Sequence, residues 1–140
     1  MSIQVKINKN EISKLQVELK RIKDLRQPLD EIGQSLEAST KLRFNQGKDP
    51  EGNPWEPRSE AYKAYLKRIG KLNNKVLVLS GDLQKSIEYV SDDKEVVVGT
   101  DIKYAEKHQL GLDGLPIREF LGLSEKDKKE ILEIIEDHIE

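Results

Sequence analysis

Residues 86–99, SIEYVSDDKEVVVG, decide how the rest of the chain is read. Ile87 and Tyr89 alternate with polar neighbours, Val96 and Val98 do the same, and Asp92-Asp93 stands between the two runs. Period-two alternation on either side of a turn-forming pair is the pattern of a β-hairpin, here 86–91 with 94–99. Upstream, Val76–Leu79 reads as a short apolar strand that breaks at Ser80-Gly81, with a turn of helix before the chain extends again at Ile87.

Towards the N-terminus, SIQVKI (2–7) sets Ile3, Val5 and Ile7 against polar neighbours, a second half-buried strand. Asn8 stands three residues before Glu11 in the manner of a helix cap, and Ile12, Leu15, Leu19, Ile22 and Leu25 follow at helical spacing over 10–26. Pro28 suits the first turn of another helix. Its stripe is Leu29, Ile32, Leu36 and Leu42, interrupted by Ser39 and Thr40, and it runs to about Phe44 with Gly47 as terminator. Ser59 caps a short helix carrying Tyr62, Tyr65, Leu66 and Ile69, which Gly70 stops before the polar connector KLNNK. Beyond the hairpin, a short helix holds Tyr104, Ala105 and His108, and turns and a short extended piece fill 112–123. Ser124 with Asp127 then caps a last helix whose stripe is Ile131, Leu132, Ile134, Ile135 and Ile139. Helices at both ends and strands in the middle predict one α+β domain over 1–140. A small antiparallel or mixed sheet carries the long N-terminal helices, and a C-terminal helix completes it.

Composition narrows the function. The 140 residues hold 24 Lys plus Arg against 26 Asp plus Glu, so the chain as a whole is no polycation for nucleic acid. There is no cysteine, hence no disulfide, thiolate metal site or cysteine nucleophile. The first ten residues lack an apolar stretch of signal-peptide length, and the longest apolar run, Val76–Leu79, is too short to span a bilayer, so a soluble, cytoplasmic protein without a membrane partner is expected. With 36% hydrophobic and 36% charged residues the core is lean, which suits surface completed by neighbouring subunits.

No catalytic signature is present. There is no phosphate-binding glycine loop, and His108 and His138 lie 30 residues apart without a second ligand at metal spacing. The loop DPEGNPWE sets its glycine and prolines wrongly for a calcium-binding loop. No metal and no cofactor are expected. Basic residues cluster at Lys63, Lys67, Arg68, Lys71 and Lys75 and interleave with Tyr62 and Tyr65, a mixture that contacts phosphate and stacks bases or simply forms a solvated helix face. The last helix is rich in acid, and a basic middle with an acidic end lets like subunits attract head to tail.

Four stretches, in order, resemble the phage virion morphogenesis family, the tail-completion and head–tail joining proteins of Mu-like phages and prophages. FNQGKDPEGNPWEPRS (44–59) resembles the family's Phe-led, glycine-containing loop with its tryptophan, and VLVLSGDLQKSI (76–87) its S/T-G-x-L-x-x-S-I segment. VVVGTDIKYAEKHQLG (96–111) resembles its V-G-T/S and YA-x-x-HQ-x-G segment, and IREFLGLSEKD (117–127) its R-x-F-L-G-L-S/T-x-x-D. GLDGL (111–115) is shorter and more acidic than the family's loop there.

The resemblance implies a non-enzymatic structural protein, made in the host bacterial cytoplasm and destined for the neck or tail end of a virion. It implies a ring-like homo-oligomer, hexamers being common among tail terminators, that meets tail-tube, tail-terminator or head-connector proteins and transiently DNA. Interaction residues are expected at Trp55 and Asp49 in the 46–58 loop, which is expected to protrude, and at Tyr104, His108 and Arg118. Pro50, Pro54 and Pro57 restrict φ in that loop while Gly47 and Gly52 allow the turns between them, so Trp55 is expected to plug its base against the helix ending at Phe44. Its charged tip, Lys48 to Glu51, is then left for a neighbouring subunit. The alternative function is a nucleic-acid-binding module built on 63–75.

Overall fold

Strand β1 (Ile3–Asn8) is antiparallel to β3 (Glu95–Thr100), which pairs on its other edge with β2 (Glu88–Ser91). The sheet order is β1-β3-β2. These contacts belong to a computed structural model, which describes residues 1–14, 24–70 and 81–139. Its architecture is the expected α+β, with an antiparallel sheet. Register places Val5, Val98 and Tyr89 in one row and Ile7, Val96 and Ser91 in the next, so one face of the sheet is apolar. Gly99 lies so close to β1 that a Cβ there would meet the Ile3 carbonyl and Gln4. In the hairpin turn, Asp92 Oδ1 accepts the Lys94 and Glu95 N–H groups, both at 2.8 Å.

Among the described residues six helices accompany the sheet. Helix α1 (Lys9–Ser13) starts from Asn8, whose side chain accepts the Glu11 N–H at 3.1 Å. The rest of the predicted 10–26 helix, the connector 71–75 and the strand at 76–79 fall largely or wholly outside the described residues. Helix α2 (Arg26–Gln46) lies over the apolar face of the sheet and buries Leu29, Ile32 and Leu36. Gly47 in the left-handed region ends it, and its N–H bonds the Arg43 carbonyl. Leu42 is 46% exposed, so it is no part of the stripe. Six residues past Leu36 is about 240° around a helix, whereas Thr40, Arg43 and Phe44 continue the buried face.

Helices α3 (Glu60–Arg68), α4 (Asp82–Ser86), α5 (Ala105–Leu110) and α6 (Glu125–Asp137) follow. Ser59 caps α3, and Ser124 with Asp127 forms a capping box on α6, as the spacing predicted. Helix α6 packs along α2 through Ile131 and Ile135. Tyr89 packs on Gly33 of α2, where a Cβ would clash with Cδ2 of its ring, and its hydroxyl donates to Asp30 Oδ1 at 2.9 Å. That contact sets how closely the helix approaches the sheet.

A candidate interaction surface around the Trp55 loop

The loop after Gly47 is ordered by its own backbone. Lys48 bridges to Pro54, the Trp55 N–H bonds the Gly47 carbonyl at 2.9 Å, and the Asp49 N–H bonds the Asn53 carbonyl at 2.9 Å. Asp49 Oδ1 also accepts the N–H groups of Glu51 (3.0 Å) and Asn53 (2.8 Å), and Gly52 supplies the positive φ of 91° that the turn needs. Asp49 therefore acts first as the organiser of the turn. Trp55 is 7% exposed and meets Phe44 edge-on at 5.6 Å; Phe44 in turn meets Phe120 at 5.4 Å. The indole N–H donates to the Glu119 carbonyl at 2.7 Å. The single tryptophan plugs the base of the loop against the end of α2, and it pins the loop to 119–121.

That second segment is held in turn by α5. The Gln109 side-chain oxygen accepts the N–H groups of Phe120 and Leu121, both at 3.0 Å, and its amide donates to the Leu121 carbonyl at 2.9 Å. Arg118 reaches back to the loop, its Nε donating to the Glu56 carbonyl (2.9 Å) and Nη2 to Pro57 (3.3 Å), while its own N–H donates to the His108 carbonyl. Side chains thus satisfy backbone groups that no strand pairs. Burial, and then the nearby Arg118 charge, holds the His108 imidazole below its ordinary pKa, which favours the neutral ring. Its Nδ1 is buried without a hydrogen-bond partner among the described residues. Tyr104 stands edge-on to His108 at 6.1 Å and is 45% exposed.

Four of the five expected interaction residues, Trp55, Tyr104, His108 and Arg118, therefore belong to one neighbourhood where the loop meets 104–121. Between 56–62 and 108–118 lies an open groove of about 810 Å³, with Tyr62, His108, Leu115 and Arg118 in its walls. Around it, Leu110, Leu112, Leu115 and Ile117 are 37–67% exposed.

Helix α3 carries the basic cluster. Tyr62 and Tyr65 stack at 6.0 Å and are 41% and 45% exposed, and the Arg68 guanidinium lies 5.9 Å over the Tyr65 ring. Lys63 pairs with Glu60 at 3.4 Å, Lys67 is exposed, and Lys71 and Lys75 lie outside the described residues. Among the described residues no group of histidines and carboxylates is placed to hold a metal ion, and no helix is long and apolar enough to cross a membrane.

The sequence reading missed the polar centre beneath this surface. Arg43, 4% exposed, pairs with Asp127, 2% exposed, and donates Nη1 to the Phe120 carbonyl at 2.8 Å. Ser39 donates to the same carboxylate, which also accepts the Ser124 N–H at 3.0 Å. Burial pulls the Arg43 guanidinium below its ordinary value, with Asp127 opposing the shift. The interruption of the α2 stripe at Ser39 and Thr40 was the available signal: polar residues on a buried face need partners. Asp127 read as a cap alone. It does both.

A model of the phage virion morphogenesis family matches residues 7–140. A putative capsid assembly protein G of Escherichia phage Mu is 29% identical over 114 residues, covering 75% of this chain and 73% of that protein. A Mu-like prophage FluMu G protein 1 of Haemophilus influenzae is 28% identical over 137 residues, 96% of this chain and 93% of that protein. No solved structure matches.

Proposed function

This chain belongs to the phage virion morphogenesis family, and from that premise we propose that it is a non-enzymatic structural subunit that completes the tail or joins tail to head as one member of a ring of identical copies. The observation that carries the reading is the exposed apolar rim, Leu110 to Ile117, set around a groove whose walls are clamped by Trp55, Gln109 and Arg118. A rigid frame presenting apolar side chains loses little entropy on docking. The relative from phage Mu carries a capsid-assembly name, which supports a place in particle assembly. Tail-tube, tail-terminator or head-connector proteins are the partners this role calls for, in the bacterial cytoplasm during assembly and then at the neck or tail end of the virion.

The test is genetic and structural. Removing the gene from an inducible lysogen should leave unjoined heads and tails, or tails of irregular end, under the electron microscope, and the protein restored in trans should repair them. Normal, infectious particles without it would overturn the role. Light scattering across a range of concentration checks the ring, and persistent monomer would remove it.

A second reading rests on the stacked Tyr62–Tyr65 pair with Arg68 over it, beside Lys63 and Lys67. Such a platform suits nucleic acid. Fluorescence anisotropy with a labelled oligonucleotide should then show binding at low salt that falls steeply as salt rises. No binding at low salt ends this reading.

A further inference from the structure

Two unpaired patches of opposite charge lie on separate helices. Helix α6 is anchored by Ile131 and Ile135, and its opposite side at the C-terminal end presents Glu133, Glu136 and Asp137, all exposed. Its last turn holds no basic residue. Carboxylates there face the negative end of the helix dipole and repel one another, so the fold itself disfavours them. Among the described residues no ion pair or hydrogen bond relieves them.

Helix α3 shows the converse. It is anchored by Leu66, fully buried, and its opposite side carries Lys67 and Arg68 in the last turn with Tyr65 at the margin. Among the described residues neither Lys67 nor Arg68 has an ion-pair partner; Arg68 only overlies Tyr65. Beside these charges Tyr65 and Ile69 are 45% and 44% exposed, an apolar margin of the kind that stays dry in an interface.

We propose that the α3 face around Lys67 and Arg68 docks on the Glu133–Glu136–Asp137 face of α6 of a second copy of this chain. The proposal rests on the ring reading above and names the two surfaces that make it. The contact joins different patches on the two copies, so a pair keeps one free face of each kind, one on each subunit, for further neighbours. That geometry propagates head to tail and closes into a ring when the rotation allows. A second copy is favoured over nucleic acid because the acidic face is left unexplained by a nucleic-acid partner, whereas neighbouring copies of the same chain, one on each side, neutralise both patches.

Charge reversal tests it on the full chain. Lys67→Glu/Arg68→Glu makes both patches acidic, and Glu133→Lys/Glu136→Lys makes both basic. Each variant alone should self-associate at least about tenfold more weakly than wild type. Their equimolar mixture should reassociate, because every contact in an alternating assembly then joins opposite charges. The chain bearing all four changes should associate with itself for the same reason. Mass is read by light scattering at low and high salt, and Trp55 fluorescence with circular dichroism confirms that each variant is folded.

Wild-type assembly that persists in both variants overturns the pairing and leaves the ring reading standing. Variants that dissociate without recovery on mixing also overturn it. A wild type that stays monomeric at all concentrations removes the ring reading and the pairing together. Loss of oligonucleotide binding in Lys67→Glu/Arg68→Glu, with assembly unchanged, assigns the α3 face to nucleic acid instead.

Discussion

Replacing Arg43 with methionine removes a charge from the centre of the molecule while keeping most of its volume. It leaves the Asp127 carboxylate, 2% exposed, without its counter-ion, and the Phe120 carbonyl without its donor. Breaking a buried pair by deleting one partner costs about 3–5 kcal/mol, because the remaining charge is neither solvated nor paired. Asp127→Asn should cost a similar amount from the other side, while its amide oxygen still accepts the Ser124 N–H. In the double variant no charge is stranded. It should therefore be about 1–3 kcal/mol more stable than the sum of the single losses predicts. The assay is urea denaturation at fixed protein concentration, followed by Trp55 fluorescence and by far-ultraviolet circular dichroism. For a chain of this length the single variants should melt about 10–20 °C below wild type. Single losses below about 1 kcal/mol that add in the double variant are the behaviour of a solvent-exposed pair. That result would refute the reasoning, since it would mean that water reaches the pair in solution.

Trp55→Ala empties the base of the loop and should cost about 3–5 kcal/mol, whereas Trp55→Phe keeps the ring against Phe44 and loses the bond to Glu119, about 1–2 kcal/mol; equal losses by thermal melting would show that the ring packing has no weight. Gly33→Ala drives a methyl into the Tyr89 ring and should destabilise by about 1–3 kcal/mol; an unchanged urea midpoint would mean that helix and sheet separate freely. Burial first, and then Glu51 and Asp49, raise the Glu119 pKa above its ordinary 4.5. The ionised side chain is therefore a penalty above its folded pKa, and that penalty vanishes below the unfolded value. Glu119→Gln should melt higher than wild type at pH 7, with the advantage fading as pH falls through 4.5; a wild type more stable at pH 7 would contradict this.

The regular elements were legible because each announces itself locally. The 86–99 alternation, the Asn8, Ser59 and Ser124 caps and the Gly47 stop need only neighbouring residues, and all appear where those residues put them. Leu42 misled because apolar character was weighed above angle: Arg43 and Thr40, polar by type, hold the buried positions beside it. The placement of Trp55 at the loop base was readable from the stiffness of the loop. Its partner was not, since a backbone carbonyl at Glu119 carries no side-chain signal. The same is true of Gln109 and Arg118, whose acceptors are mostly main-chain groups of irregular segments. Arg43 and Asp127 are 84 residues apart, and nothing in one segment advertises the other.

The long reach of these bonds also bears on how the protein is made. A ribosome adds about 5–20 residues per second, so β1, complete at Asn8, waits roughly 4–17 s for the start of β3 at Glu95. Arg43 leaves the ribosome a comparable time before Asp127, and Trp55 before Glu119. During that interval a nascent chain displays an unpaired apolar strand, an unneutralised guanidinium and an unseated indole. Chaperones recognise features of this kind, and a chain cut short before the final helix can pair the strand and seat the indole but still lacks the carboxylate for Arg43. Only a fully translated chain can finish folding, which gives the host's proteases a clear distinction between finished subunits and fragments.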